Sequence, residues 1–197
     1  MSRTEIRITG FGGQGVVLSG YIIGRACAVN AGMHATMIQS FGPEARGSAC
    51  SATLVISDAS ILYPYIRRPK IFVAMSADGY GKYRDELSDK GTLIYEENLV
   101  HPTFKDGQAA FGIPSTRIAE SLGRALVQNI VMLGFFREVT QIVSREALRE
   151  AVRASVPAGT EALNLKALDA GIEYFQKTYG PGRSGKEEET TVTLGGQ

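Results

Sequence analysis

The chain has 197 residues, 44% of them apolar and 21% charged, with 23 glycines, no tryptophan and a formal net charge of +1. That length suits one domain with a real core, and the near-neutral charge, with no basic cluster beyond Arg67-Arg68 and Lys70, argues against a nucleic-acid footprint. No apolar run approaches the roughly 18–20 residues of a membrane-spanning helix. The polar start, Met1 to Arg7, leads straight into a strand, so no signal peptide is expected and a cytoplasmic address follows.

In chain order, Ile6-Arg7-Ile8-Thr9 reads as the first strand, followed by a helix over residues 14–30 that is apolar nearly all round. A second strand over 35–40 leads through a polar loop, 42–48, into a third strand over 50–57 with a mild period-two pattern. Ile71-Phe72-Val73-Ala74-Met75 reads as a short buried parallel strand. A polar helix over 77–89 stops at Gly91, and strands over 92–95 and 109–113 follow. Ser115 can cap a helix whose positions Ile118, Leu122, Leu126, Ile130 and Leu133 lie near helical spacing, with Gly123 as a break. Helices over 144–155 and 160–179 close the pattern.

Alternating strands and helices predict an α/β domain with a mostly parallel sheet flanked by helices. Antiparallel edge strands are foreseen around 50–57, because the link from the second strand is too short for a crossover helix. The domain is expected to occupy residues 1–179. Residues 180–197, acidic at Glu187-Glu188-Glu189, read as a mobile tail or one ordered only on a partner.

Gly10-Phe11-Gly12-Gly13-Gln14-Gly15 sits between the first strand and the first helix. Strand, glycine turn and helix in that order make a corner at which unpaired helix amides can meet a phosphate. Glycines 10, 12 and 15 fit G-x-G-x-x-G. An NAD or FAD site also needs an acidic residue at the tip of the second strand to hold the ribose. That tip offers Gln39 and Ser40, and the first carboxylate, Glu44, comes only after Gly42-Pro43. The corner therefore reads as another kind of phosphate site or as an interface.

Other chemistry is sparse. Cys27 and Cys50 lie far apart in apolar contexts and cannot supply the thiolate set of an iron–sulfur cluster; His34 and His101 are scattered, leaving zinc unsupported. His34 reads as a structural residue at a strand start. Asp78 lies just past the 71–75 strand and reads mainly as a cap or turn residue. In the 42–48 loop, Arg46 can pair with Glu44 or reach a phosphate or carboxylate with its planar fork. Both loops leave the carboxyl ends of the first two strands and should lie side by side.

Gly10-Phe-Gly-Gly-Gln-Gly15 followed by Val16, together with Ser40-Phe-Gly-Pro-Glu-Ala-Arg-Gly47, resembles the gamma subunit of 2-oxoacid:acceptor (ferredoxin) oxidoreductases. The likeness spans about residues 4 to 178. It implies a Rossmann-like accessory domain without catalytic residues, acting within an oxidoreductase that turns a 2-oxoacid into its acyl-CoA. It also implies partner subunits: alpha and beta holding thiamine diphosphate, with [4Fe-4S] clusters in beta and in a ferredoxin-like delta. The electrons go on to ferredoxin or another acceptor. Under that resemblance, Gly10, Gly12, Gly13, Gln14, Gly15 and Arg46 are the candidate contacts to coenzyme A or to a neighbouring subunit, with Gln14 bonding across the interface. A stand-alone NAD(P)- or flavin-dependent oxidoreductase and a purely structural interaction subunit are the alternatives.

Overall fold

The structure, a computed structural model, describes residues 3–41, 49–103 and 105–180. β1 (Arg3–Phe11) leads into α1 (Val16–Arg25), which ends in a π-helical turn (Ala26–Asn30). β2 (His34–Ser40), β3 (Ala49–Ser57) and β4 (Ile71–Ala74) follow. After α2 (Ala77–Tyr83) come β5 (Thr92–Glu96) and β6 (Ala109–Ile113). The chain closes with α3 (Ser115–Ser121), α4 (Gln128–Thr140), α5 (Arg145–Arg153) and α6 (Glu161–Tyr179).

The six strands form one sheet in the order β2-β3-β1-β4-β5-β6. β1, β4, β5 and β6 pair in parallel, while β3 runs antiparallel to both β1 and β2. The sheet is thus mostly parallel, as the α/β reading predicts. The antiparallel strand is not at the edge, however. β3 lies inside the sheet, paired over its full length with β1 (Arg3↔Ser57 to Phe11↔Ala49), and β2 takes the edge.

Alternation along each strand sorts the two faces. Ile6, Ile8, Leu54, Ile56, Val73 and Ile94 point into the larger core under α1 and the C-terminal helices. Phe72, Ala74 and Leu93 point the other way, where Tyr80, Leu87 and Val100 complete a smaller core. On that side Gly79 of α2 comes so close to β1 that a Cβ there would lie 2.7 Å from Thr9 Oγ1.

The larger core is fixed by an unusually close helix crossing. A Cβ on Gly134 of α4 would fall 2.0 Å from the Leu168 carbonyl oxygen of α6, and one on Gly171 of α6 would fall 2.0 Å from that of Val131. Each glycine admits the other helix's backbone, and even one methyl group would force the helices apart. At the far end of α4, buried Glu138 accepts hydrogen bonds from Arg145 (2.9 and 2.8 Å) and Arg137 (2.7 Å). Burial works to raise the Glu138 carboxyl, but the hydrogen bonds from Arg145 and Arg137 outweigh it and hold it below the usual range.

Several helix ends depart from the sequence expectation. The 14–30 helix changes to π geometry at Ala26, and the 77–89 helix ends at Tyr83 with one 3₁₀ turn beyond. Ser115 does not cap α3: it is the first helical residue after Pro114, and its buried hydroxyl has no partner. The break at Gly123 is present (φ 89°), but it leaves Leu126 77% exposed instead of on the buried stripe. Ser76 and Ser144 do cap α2 and α5, accepting from the Gly79 and Ala147 amides. No helix among the described residues is long and apolar enough to cross a membrane. The tail beyond Gly180 lies outside the described residues.

Candidate functional site: the glycine corner

Residues 12–15 link β1 to α1 at the edge of the sheet where β1, β2, β4, β5 and β6 all end. Each glycine there has its own reason. Gly10 still lies in the strand, where a Cβ would meet Gln14 Oε1 at 2.6 Å and Val16 Cγ2 at 2.8 Å. Gly13 holds φ 98° in open space. Gly15 holds φ 73° as the residue preceding α1, and a Cβ there would strike Asn129 Nδ2 at 2.5 Å. Side chains avoid that half of conformational space, so glycine is required at 13 and 15.

Gln14 is the brace of the corner. Its Oε1 accepts from the Phe11 amide at 2.7 Å, its Nε2 donates to the Met75 carbonyl at 3.1 Å, and its own amide donates to the Phe11 carbonyl at 3.1 Å. The side chain and amide of Gln14 are therefore spent inside the corner, tying it to the end of β4, and do not reach out to a neighbour. What remains directed outward is backbone. α1 has no side-chain cap at its start, so its first amides face the corner at the positive end of the helix dipole.

Asn129, buried on the first turn of α4, backs the corner from the other side, its Nδ2 3.5 Å from the Gly15 carbonyl. It stands 114 positions away in sequence, and no local pattern marks it. Glu96, fully buried at the end of β5, is likewise not singled out by any motif. Both its oxygens are taken by Asn98, through the backbone amide and side-chain nitrogen at 3.0 Å each. Asp78 lies exposed in the first turn of α2, while the cap is Ser76.

β3 starts opposite Phe11, and β2 ends opposite Ser51. Arg46 and the rest of 42–48 lie outside the described residues. The same topology explains the missing ribose acid. In a dinucleotide fold the second strand lies beside the first. Here β3 stands between them and sets the tip of β2 about 9–10 Å from β1, at two strand spacings. Phe41, just past β2, is 65% exposed.

Neither cysteine is prepared for metal. Cys27 is wholly buried in the π turn, where burial pushes its thiol up to about 12, and Cys50 is buried in β3 with its thiol also raised by burial. Among the described residues no group of His, Cys, Asp and Glu is placed to hold a metal ion.

The family model for pyruvate ferredoxin/flavodoxin oxidoreductase matches residues 5–174. The chain is 45% identical over 175 residues to the 2-oxoglutarate synthase subunit KorC of Methanocaldococcus jannaschii, covering 87% of this chain and 93% of that one. It is 33% identical to the ketoisovalerate oxidoreductase subunit VorA of Methanothermobacter thermautotrophicus, covering 88% of this chain but 36% of that longer one. The solved gamma subunit of a keto/oxoacid ferredoxin oxidoreductase from Geobacter sulfurreducens superposes with TM-score 0.76 at 33% identity, covering 86% of this chain and 96% of that one. With a family model over residues 5–174 and relatives alike over most of the chain, the chain belongs to the pyruvate ferredoxin/flavodoxin oxidoreductase family, as a gamma subunit of a 2-oxoacid:ferredoxin oxidoreductase.

Proposed function

We propose that this gamma subunit serves a cytoplasmic complex that oxidatively decarboxylates 2-oxoglutarate to its acyl-CoA, and that its glycine corner helps admit coenzyme A. The choice of 2-oxoacid follows the higher identity to the 2-oxoglutarate synthase subunit than to the ketoisovalerate one. Alpha, beta and delta subunits would hold thiamine diphosphate and the iron–sulfur clusters, which supply the decarboxylation and the electron transfer. The two cysteines of this chain are buried, separate thiols, too few to hold an iron–sulfur cluster.

The observation that carries the proposal is the rigid corner itself. Gln14 and Asn129 hold it, Gly13 leaves open space above it, and the uncapped start of α1 offers backbone donors without a side-chain competitor. Such a corner binds a phosphate or pyrophosphate without rearranging, because its donors are already aimed. Arg46, which lies outside the described residues, would add a planar cation to the same charge.

The test is the assembled complex with Arg46→Ala. A cofactor role predicts that the apparent KM for coenzyme A rises about tenfold, the loss of one charge-assisted contact, while kcat is kept. Loss of the subunit from the complex, with coenzyme A kinetics intact in what remains, would assign the corner to assembly instead.

A further inference from the structure

Residues 58–70, which carry the chain from β3 to β4, lie at the opposite edge of the sheet from the glycine corner. They contain no helix or strand, yet their backbone is held firmly. Arg3 donates to the carbonyls of Tyr63 (2.9 Å) and Tyr65 (3.1 Å), and Glu5, paired to Arg3 at 3.0 Å, accepts from the amides of Arg67 (3.1 Å) and Arg68 (3.3 Å). Pro69 is buried, and the Lys70 amide donates to the Glu5 carbonyl at 2.9 Å.

What this brace presents to solvent is unusual. Leu62 is 95% exposed, Tyr63 and Tyr65 are about half exposed with ring centroids 5.4 Å apart, and the Arg67 guanidinium lies 5.8 Å over the Tyr63 ring. Arg67, Arg68 and Lys70 bring three cations to the same stretch, of which Arg68 meets Asp89 at 2.8 Å. Single exposed apolar residues need no explanation, but a contiguous leucine, two tyrosines and arginines on a pre-ordered loop have the composition of interface hot spots. A loop already held in place also loses little entropy on docking.

We propose that residues 61–70 are the docking surface for the larger subunit of the same oxidoreductase, whose contacting face is an apolar pocket rimmed by carboxylates. This rests on the gamma-subunit reading above. Two observations select that occupant. The cations on the loop call for an acidic counterpart. In one relative the matching region is about a third of a longer chain and in another it is nearly the whole chain, so a join that is covalent in the first is made by a surface in the second. The glycine edge then stays open to a small ligand while the opposite edge is clamped.

The test is co-purification of the complex from its own host without oxygen, through a tag on this chain, comparing wild type with Leu62→Ser/Tyr63→Ala/Tyr65→Ala and with Arg67→Glu/Lys70→Glu. Recovery of the larger subunits is expected to fall at least about tenfold in both variants, as loss of hot-spot contacts does. The isolated variants should melt with the wild type, because the substituted side chains are largely solvent-exposed. Wild-type recovery from both variants, or a change only in self-association of this chain, overturns the proposal and leaves the gamma-subunit reading standing. A wild-type chain that brings down no larger subunit overturns both.

Discussion

The two edges of the sheet use one device for opposite ends. At the carboxyl edge, Gln14 is spent on the backbone of its own turn, and what faces outward is peptide amide. At the amino edge, Arg3 and Glu5 are spent on the backbone of residues 63–68, and what faces outward is leucine, tyrosine and arginine. Peptide amides recognise an anion of almost any source, whereas a set of large side chains recognises one complementary surface. The contrast underlies the two proposals, small-ligand chemistry at the first edge and partner choice at the second.

The largest effect should come from below the glycine edge. Gly171→Ala places a methyl group against the Val131 carbonyl, separates α6 from α4 and shifts Asn129 behind Gly15. A loss of about 3 kcal/mol is expected, or roughly 6–12 °C in Tm for a chain of this size, read by thermal melting. A melt within 2 °C of wild type, on the order of the smallest shift such overpacking gives, would mean that the crossing is looser than described.

Gln14→Leu comes next, because it leaves the Phe11 amide and the Met75 carbonyl without their partner. Its expected cost is about 1–3 kcal/mol, with amide exchange accelerating around residues 11–16 and not around 61–70. Equal acceleration at both edges would break the comparison, since it would show that the two braces are not independent.

The smallest effect is set by pH, at the far end of α4. Glu138 has a folded pKa below its unfolded value, so its contribution to stability is fully present above about pH 4.3 and is lost as pH falls through the folded pKa. The Tm difference between wild type and Glu138→Gln should therefore be steady at neutral pH and shrink under acid. A difference that grows on acidification contradicts the sign.

Much of this was legible in the chain and the rest was not, for physical reasons. Strands rich in Ile, Val and Leu, and helices with Leu168, Ile172 and Phe175 on one face, announce themselves through local periodicity. The glycine corner was visible because positive φ demands a residue type. The position of β3 between β1 and β2 was not, since a short link shows that the strand reverses but not which neighbour it adds to. Gln14 looked like a group for a partner because nothing local says that its side chain turns back to Met75, 61 positions away. Asn129 is a tertiary contact of the same kind. Gly134 and Gly171 were not singled out, because only the packed structure shows that they face each other's backbone.

The most direct measurement is to purify this chain from its own host without oxygen and assay dye reduction with 2-oxoglutarate and coenzyme A. The account predicts larger subunits in the eluate, brown iron–sulfur absorbance, and reduction that requires both substrates. A colourless chain of about 21 kDa without partners or activity would contradict it.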